Sequence, residues 1–333
     1  MRILLTNLFL QGHTGSESFI YTLGKEFREL GHDITFFVHN WGWFGEQVKA
    51  EGFECWYAPP NKPFKLPCIN FDFVHFQHNE TVRAIYPQVK HIPKSFICHG
   101  MLPAPEQPLP FTEYPMEAYF GISEETLHNV LEKAYLKNKF PPISIPPNQH
   151  QGVVRNLIDI EKFKAKTSIN QKLKNVLIIS NYIQRQPRYV ELIKKACETK
   201  KLNLEIIGDA GKRVPDTRPY IEKANLVIGL GRCAYESMAM ARSVLVFDYQ
   251  GFEGLITSEQ DYLTFRKYNL SGRCKKKTEV YLEDVIQAFN NYSASQGTQN
   301  RQYIEKYHDS KTIAKEYETA IKFITSLPHA RTS

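Results

Sequence analysis

Apolar residues fall along this chain in two alternating rhythms. Short unbroken runs, as at 3–6 and 34–38, read as strands buried on both faces. Between them, Phe19, Ile20, Leu23, Phe27 and Leu30 recur at the three-to-four-residue spacing of one helical face. Thr14 and Glu17 are placed as a capping box at the front of that helix, and Gly31 as its stop. One strand–helix–strand unit is therefore complete by Val38.

The same rhythm continues through strands at 71–76, 95–98 and 118–122. Proline-rich stretches at 59–67, 103–110 and 141–147 interrupt it and read as loops, because proline lacks an amide donor and fixes φ. A second series starts near Asn175, with strands at 176–180, 204–207, 226–228 and 244–247 and a helix at 190–199. Alternation of this kind predicts an α/β fold with parallel sheets, and 333 residues predict two domains. The boundary is expected within 156–174. The expected division is an N-terminal domain 1–160, a second domain 161–310, and a C-terminal helix 311–333 packing on the first. The helical pattern of that last segment covers 300–326.

Composition narrows the class. Hydrophobic residues make up 42% and charged residues 23%, an ordinary balance for a globular chain and too apolar for disorder. A net charge of +7 fits an anionic ligand or an anionic membrane surface. The dense run Arg273-Cys274-Lys275-Lys276-Lys277 reads as a solvated loop. No basic–aromatic interleaving points to nucleic acid as a partner. The six cysteines are scattered without a CxxC pair, so neither a zinc site nor a disulfide framework is expected. The N-terminus enters a strand at once, with no signal-peptide pattern, and no apolar run approaches the ~18 residues of a membrane span. The expected location is the cytoplasm, with peripheral attachment to the inner face of a membrane as the alternative.

Three glycine-bearing turns carry candidate chemistry. Gly12-His13-Thr14-Gly15-Ser16 sits between the first strand and helix, where amide groups and the helix dipole favour an anion. It lacks the GxGxxG spacing of a dinucleotide site. Gly208-Asp209-Ala210-Gly211-Lys212-Arg213 has neither the spacing nor the Ser/Thr of a Walker A loop. Gly229-Leu230-Gly231-Arg232 leads from a strand into a helix that carries Glu236, Ala239 and Ala241. A carboxylate there can accept hydrogen bonds from ribose hydroxyls while phosphates lie at the helix start. The competing reading is a closely packed helix with Glu236 exposed.

The ordered succession of segments resembles the GT-B glycosyltransferases, in the large retaining group that includes sucrose synthases and mannosyltransferases. Gly15-Ser16-Glu17 with Leu30-Gly31-His32-Asp33-Ile34 is similar to that group's opening turn, helix and second strand. Phe73-Val74-His75-Phe76-Gln77-His78 and Cys98-His99-Gly100 are similar to its two histidine-bearing strand ends. Ile122-Ser123-Glu124, Arg155-Asn156-Leu157-Ile158-Asp159, Ile207-Gly208-Asp209-Ala210-Gly211 and Glu236-Ser237-Met238-Ala239 follow in the family's order. The resemblance implies two Rossmann-like domains facing a cleft. It implies that Glu236 binds the donor ribose and that Gly251, Phe252, Glu253, Gly254 and Leu255 offer backbone amides to the diphosphate or sugar. Gly15 and Ser16 would face the leaving phosphates, His99 would lie near the transferred sugar, and His78 is a second catalytic candidate. Gly208 and Gly231 complete the donor-side set.

Two departures bear on mechanism. The family's glutamate eight residues before Glu236 is Ile228 here. Its phosphate-gripping pair is replaced by Ser180-Asn181-Tyr182 and Gln186-Pro187, leaving Arg185, Arg188, Lys212 and Arg232 as candidate cations. No Asp-x-Asp metal motif stands in a suitable place, so metal-independent transfer without a cofactor is expected, the nucleotide-sugar being substrate. The implied reaction moves a hexose from a UDP- or GDP-sugar to a glycan or lipid-linked acceptor with retention. Acceptor specificity is expected in irregular loops 40–70 and 100–117. Trp41 and Trp43 there read as loop packing, with stacking on a sugar face as the alternative, and His13 as an acceptor-side candidate. A nucleotide-sugar epimerase and a non-catalytic carbohydrate-binding module are the competing functions.

Overall fold

The computed structural model describes residues 1–12, 14–60, 62, 64–101, 105, 109, 113–136, 150–209 and 211–327. These divide into two compact units, one formed by Met1–Leu157 together with the chain from Ser310 onward, the other by Ile158–Asp309.

The first unit runs β1 (Arg2–Leu10), α1 (Gly15–Glu29), β2 (Asp33–Trp41), α2 (Trp43–Ala50), β3 (Glu54–Tyr57), β4 (Phe73–Gln77), α3 (Asn79–Val89), β5 (Lys94–Cys98), β6 (Ala118–Gly121), α4 (Glu124–Leu136) and β7 (His150–Val153). Its strands form one parallel seven-stranded sheet in the order β3-β2-β1-β4-β5-β6-β7. Every residue of β4 and β5 is buried, which is why such strands read as continuous runs rather than alternations. Phe19, Ile20, Leu23 and Phe27 of α1 pack with Ile3, Leu5 and Phe36. The helix ends where Gly31 takes φ +84°, freeing the His32 amide to bond Phe27 O at 3.0 Å.

Residues 43–57, expected within an irregular loop, form α2 and β3 instead. Phe44 and Val48 are one turn apart and fully buried, so even this short helix has an inward face.

The second unit runs β8 (Asn175–Ile179), α5 (Pro187–Lys200), β9 (Asn203–Ile207), α6 (Arg218–Lys223), β10 (Leu226–Gly229), α7 (Gly231–Ala239), β11 (Ser243–Asp248), β12 (Gly251–Leu255), α8 (Glu259–Phe265), α9 (Leu282–Asn290) and α10 (Ala294–Tyr307). Its sheet has the order β12-β11-β10-β8-β9, parallel except for β12, which folds back along β11. The four parallel strands therefore end along one edge, the edge where open α/β sheets bind ligands.

The continuous helical pattern expected over 300–326 is broken at His308 and Asp309. After α10 the chain restarts as α11 (Ser310–Ser326) in the first unit. The break is held by hydrogen bonds on both sides. His308 O accepts the Ile158 amide at 2.8 Å, and Ser310 Oγ donates to Glu26 at 2.6 Å. Ile313, Tyr317, Ile321 and Ile324 of α11 then join the core of the first sheet. Among the described residues no helix is long and apolar enough to cross a membrane.

Tyr317 carries a polar group into that core. Its hydroxyl lies 2.6 Å from His75 Nδ1 and 2.7 Å from Ser95 Oγ, both on buried strands. Removing it with Tyr317→Phe leaves these two buried atoms only their mutual 3.4 Å contact, and is expected to cost about 1–3 kcal/mol in urea denaturation. An unchanged midpoint would show that the hydroxyl contributes nothing net.

Candidate functional site

The strand end with the richest chemistry is that of β10. Its buried run stops at Gly229, and α7 starts at Gly231 with φ +54°. The Gly231 amide donates to Leu270 O at 3.0 Å, so the loop following α8 caps the helix's first donor. One turn on, Arg232 Nε donates to Glu236 Oε1 at 2.8 Å, with side chains only 10% and 13% exposed. Cation before anion runs against the helix dipole, so helix stability gives only a weak reason for this pair. An anion bound at the helix start would offset that penalty.

Burial pushes the Glu236 carboxyl up from its ordinary value, opposed first by Arg232 and then by Lys162. Lys162 is itself pushed down by burial, with Glu236 opposing. Asp216 adds a second acid. Burial works against its ionisation, but hydrogen bonds from Arg218, at 2.9 Å from Nε and 2.8 Å from Nη2, hold it below the usual range. The charged neighbourhood of Glu236 thus comprises Arg232, Lys162, Asp216 and Arg218. Nothing in the sequence motif pointed to Lys162, Asp216 or Arg218, which lie on two segments outside α7.

The second feature is the turn from β11 into β12. Asp248 ends β11 with a carboxyl that accepts the Ser180 hydroxyl and the Tyr249 amide, both at 2.6 Å. Burial raises it to about 6, with the Ser180 bond opposing. Gly251 opens β12 at φ +146°, and Gly272 lies against it. A Cβ on Gly251 would stand 2.6 Å from Gly272 O, so only two glycines allow the backbones this close. Glu253 points inward and is fully buried. Its Oε1 accepts the Cys274 amide at 2.9 Å, while Oε2 has no hydrogen-bond partner. Burial pushes this carboxyl up to about 7. Lys275 Nζ donates to Glu253 O at 2.6 Å. The basic run at 273–277, expected as a solvated loop, is therefore tied to β12. Phe252 and Leu255 are buried beside Phe247 in the core, and Gly254 takes φ +106°.

The other donor-side candidates separate. Gly208 has φ +101°, and its Cβ would fall 2.1 Å from Ser180 O, so this glycine lets β8 and β9 ends meet. Its amide donates to Lys212 O at 3.0 Å, and the Lys212 side chain is exposed. Arg188 donates to Val280 O at 3.2 Å and lies over Tyr281. Arg185 stacks on Tyr182 at 4.7 Å and on Tyr249 at 5.2 Å, which brings it to the β11–β12 turn.

In the first unit, Glu17 is fully buried and gathers the loop before α1. Its carboxylate accepts the amides of Gly12 at 3.0 Å and Thr14 at 2.8 Å, and that of Gln11. A carboxylate of the chain thus takes up these donors, and contact with a ligand at this helix start rests on Gly15 and Ser16. His78 is 4% exposed, caps α3 at φ +65°, and accepts the Leu8 amide through Nδ1 at 3.3 Å. His99, just past β5, meets the ring of Phe19 edge-on at 4.6 Å. His75 is pushed down to about 3 by burial, with the nearby His99 adding to the effect, and so stays neutral. Trp41 donates to Glu46 at 2.6 Å, whereas Trp43 is 50% exposed. His13 lies outside the described residues, as do 102–104, 106–108 and 110–112 of the loop expected to set acceptor specificity. Among the described residues no group of three or more His, Cys, Asp or Glu side chains is placed to hold a metal ion.

No protein-family model matches the chain, and no curated protein matches it by sequence. Solved structures match in fold over nearly its whole length. The pneumococcal O-GlcNAc transferase GtfA, crystallised with UDP and GlcNAc, aligns at TM-score 0.62 and 11% identity, covering 98% of this chain and 99% of that one. TarM aligns at TM-score 0.60 and 10% identity, covering 96% and 98%. Anabaena HepE, crystallised with UDP and glucose, aligns at TM-score 0.58 and 11% identity, covering 97% and 100%. The chain has the GT-B fold. That is the α/β architecture expected from the ordered segments, and at these identities the likeness is one of fold. In this GT-B chain, the donor-side candidates Gly231, Arg232 and Glu236 share one helix, while Arg185, Gly251 and Glu253 gather about the β11–β12 turn.

Proposed function

We propose that this protein is a glycosyltransferase that takes a hexose from a UDP- or GDP-sugar and passes it to a glycan or lipid-linked acceptor. The observation that carries the proposal is the enclosed Arg232–Glu236 pair at the end of β10. Glu236 would accept the ribose hydroxyls, and Arg232 and the start of α7 would face the phosphates. UDP in the GtfA and HepE structures supports the same class of donor. Within the proposal, the stretch Gly251, Phe252, Glu253, Gly254 and Leu255 presents its backbone, not its buried side chains, to the phosphate or sugar end. His99, near the transferred sugar, and His78 are the catalytic candidates of the proposal, and Gly15 and Ser16 would face the leaving phosphates.

The proposed mechanism retains configuration and needs no metal. Charge developing on the leaving diphosphate would be met by guanidinium groups and the α7 dipole, and that phosphate would help take the acceptor's proton. The narrower likeness to sucrose synthases and mannosyltransferases belongs to this proposal. So does a cytoplasmic location with peripheral contact to a membrane when the acceptor is a lipid.

A thermal-shift screen against UDP, GDP and their hexose conjugates tests the proposal. A bound nucleotide raises the melting temperature by mass action. No shift with any of them at millimolar concentration would sink it. Turnover of a donor sugar with no acceptor present would move the assignment to an epimerase. NMR of the product anomer decides stereochemistry, an inverted linkage contradicting retention.

A further inference from the structure

The donor proposal leaves a gap that the second unit itself addresses. A diphosphate leaving group needs matched positive charge, yet of the four cations anticipated, Arg232 is engaged by Glu236 and Arg188 turns to the 280–281 segment. The turn at Tyr249 and Gln250 is where two guanidinium groups from different segments approach. Arg185 approaches it from the end of β8, its guanidinium lying over the rings of Tyr182 and Tyr249. Arg273 approaches from the loop after α8, its Nη1 donating to Gln250 Oε1. Gln250 Nε2 in turn donates to the Tyr249 hydroxyl at 2.7 Å, joining the two arms into one polar surface.

We infer that Arg185 and Arg273, one on each side of the Tyr249–Gln250 turn, form a guanidinium clamp for the diphosphate of the donor. The inference rests on the nucleotide-sugar reading, and it adds Arg273 and the loop that carries it to the site.

Three features favour an anion clamp over a structural contact. First, the position of Arg273 is built. Backbone contact between Gly251 and Gly272 fixes the residue before it, and the Glu253 bond to the Cys274 amide fixes the residue after it. Second, stacking holds a guanidinium by its faces, while its N–H donors lie in the plane where phosphate oxygens can reach them. Arg185 forms no ion pair among the described residues, and neither does Lys275 nearby, whose ammonium bonds a carbonyl. Third, both nearby acids are engaged within the fold. The Asp248 carboxyl is enclosed and accepts the Ser180 hydroxyl and the Tyr249 amide, where it shapes the turn. The buried Glu253 carboxyl, which feels the charges of Arg273 and Lys275, accepts the Cys274 amide. The location also fits, because the turn lies on the sheet edge where α7 begins, and the same loop caps that helix through Leu270.

The test titrates UDP, and separately inorganic pyrophosphate, into the full chain and into Arg273→Gln, Arg273→Ala and Arg185→Ala. Arg273→Gln keeps a polar side chain at this position while removing the charge. Each variant is expected to bind UDP about tenfold or more weakly, the loss of a hydrogen bond to a charged group. Pyrophosphate should weaken by a similar factor. Melting of the ligand-free variants checks that the fold is kept, and Arg273→Gln is the informative variant if Arg273→Ala loosens the loop. Unchanged affinity for both probes in the folded variants overturns the clamp. Binding of pyrophosphate, but not UDP, with the same arginine dependence keeps the clamp and contradicts the nucleotide reading. Failure of the wild-type chain to bind either probe overturns both.

Discussion

Glu236→Ala is expected to weaken UDP or GDP binding by about ten- to a hundredfold, the equivalent of ~1–3 kcal/mol for lost hydrogen bonds to a charged group. The sign of this result is informative. Removing Glu236 takes away a negative charge beside the proposed phosphate position and releases Arg232 from its 2.8 Å bond. Electrostatics alone would therefore strengthen anion binding. A loss of affinity shows that contacts to the ribose outweigh that gain. Affinity that is unchanged or improved in calorimetric titration would remove Glu236 from the ribose. Inorganic pyrophosphate, which has no ribose, is the control, and its binding should hold steady or rise.

Glu253→Gln is expected to change how stability depends on pH. The wild-type carboxyl is fully buried, with one oxygen unpartnered, and burial raises it to about 7. The folded chain then binds this proton more tightly than the unfolded chain, whose glutamate titrates near its ordinary value of about 4.5. The stabilising contribution is present in full below about pH 4.5 and is lost as pH rises through about 7. At about 1.36 kcal/mol per unit, the ionised residue costs on the order of 3 kcal/mol above pH 7. The glutamine variant carries no such charge. Urea denaturation should find it more stable than wild type at pH 8 by up to that amount, with the advantage shrinking toward pH 4.5. Parallel pH profiles for the two proteins would mean that Glu253 finds its charge compensated in solution.

The sequence made most of the sheet framework visible because its central strands are buried on both faces. The runs at 3–6, 34–38 and 244–247 lie wholly in strands, and that at 176–180 overruns β8 by one residue. Helix α1 was equally plain, with buried residues at helical spacing, Glu17 at its front and Gly31 at its end. Less regular elements escaped the pattern. Gly251-Phe252-Glu253-Gly254-Leu255 has no alternation, and it is a strand only because β11 pairs with it. The basic run at 273–277 resembles any solvated loop. Its place is set by contacts that bridge 21 residues, from Glu253 to Cys274. Tyr317 and His75 are 242 residues apart, so no local pattern joins them.

The candidate site divides in the same way. The Arg232–Glu236 pair is legible because both residues lie on one helix. The reach of Glu17 to the Gly12 and Gln11 amides is only half legible, since the capping box predicts its bond to Thr14 alone. The surroundings of Glu236 depend on Lys162 and Arg218, which come from different segments and carry no motif.

A nucleotide-sugar bound at the strand ends of the second unit, as proposed, would slow local opening there. Hydrogen–deuterium exchange of the full chain, with and without saturating UDP or GDP, reads this out. Slower exchange is expected in α7, in β12 with the turn before it, and in the 269–277 loop. Exchange unchanged throughout Ile158–Asp309 at saturating nucleotide would contradict such binding.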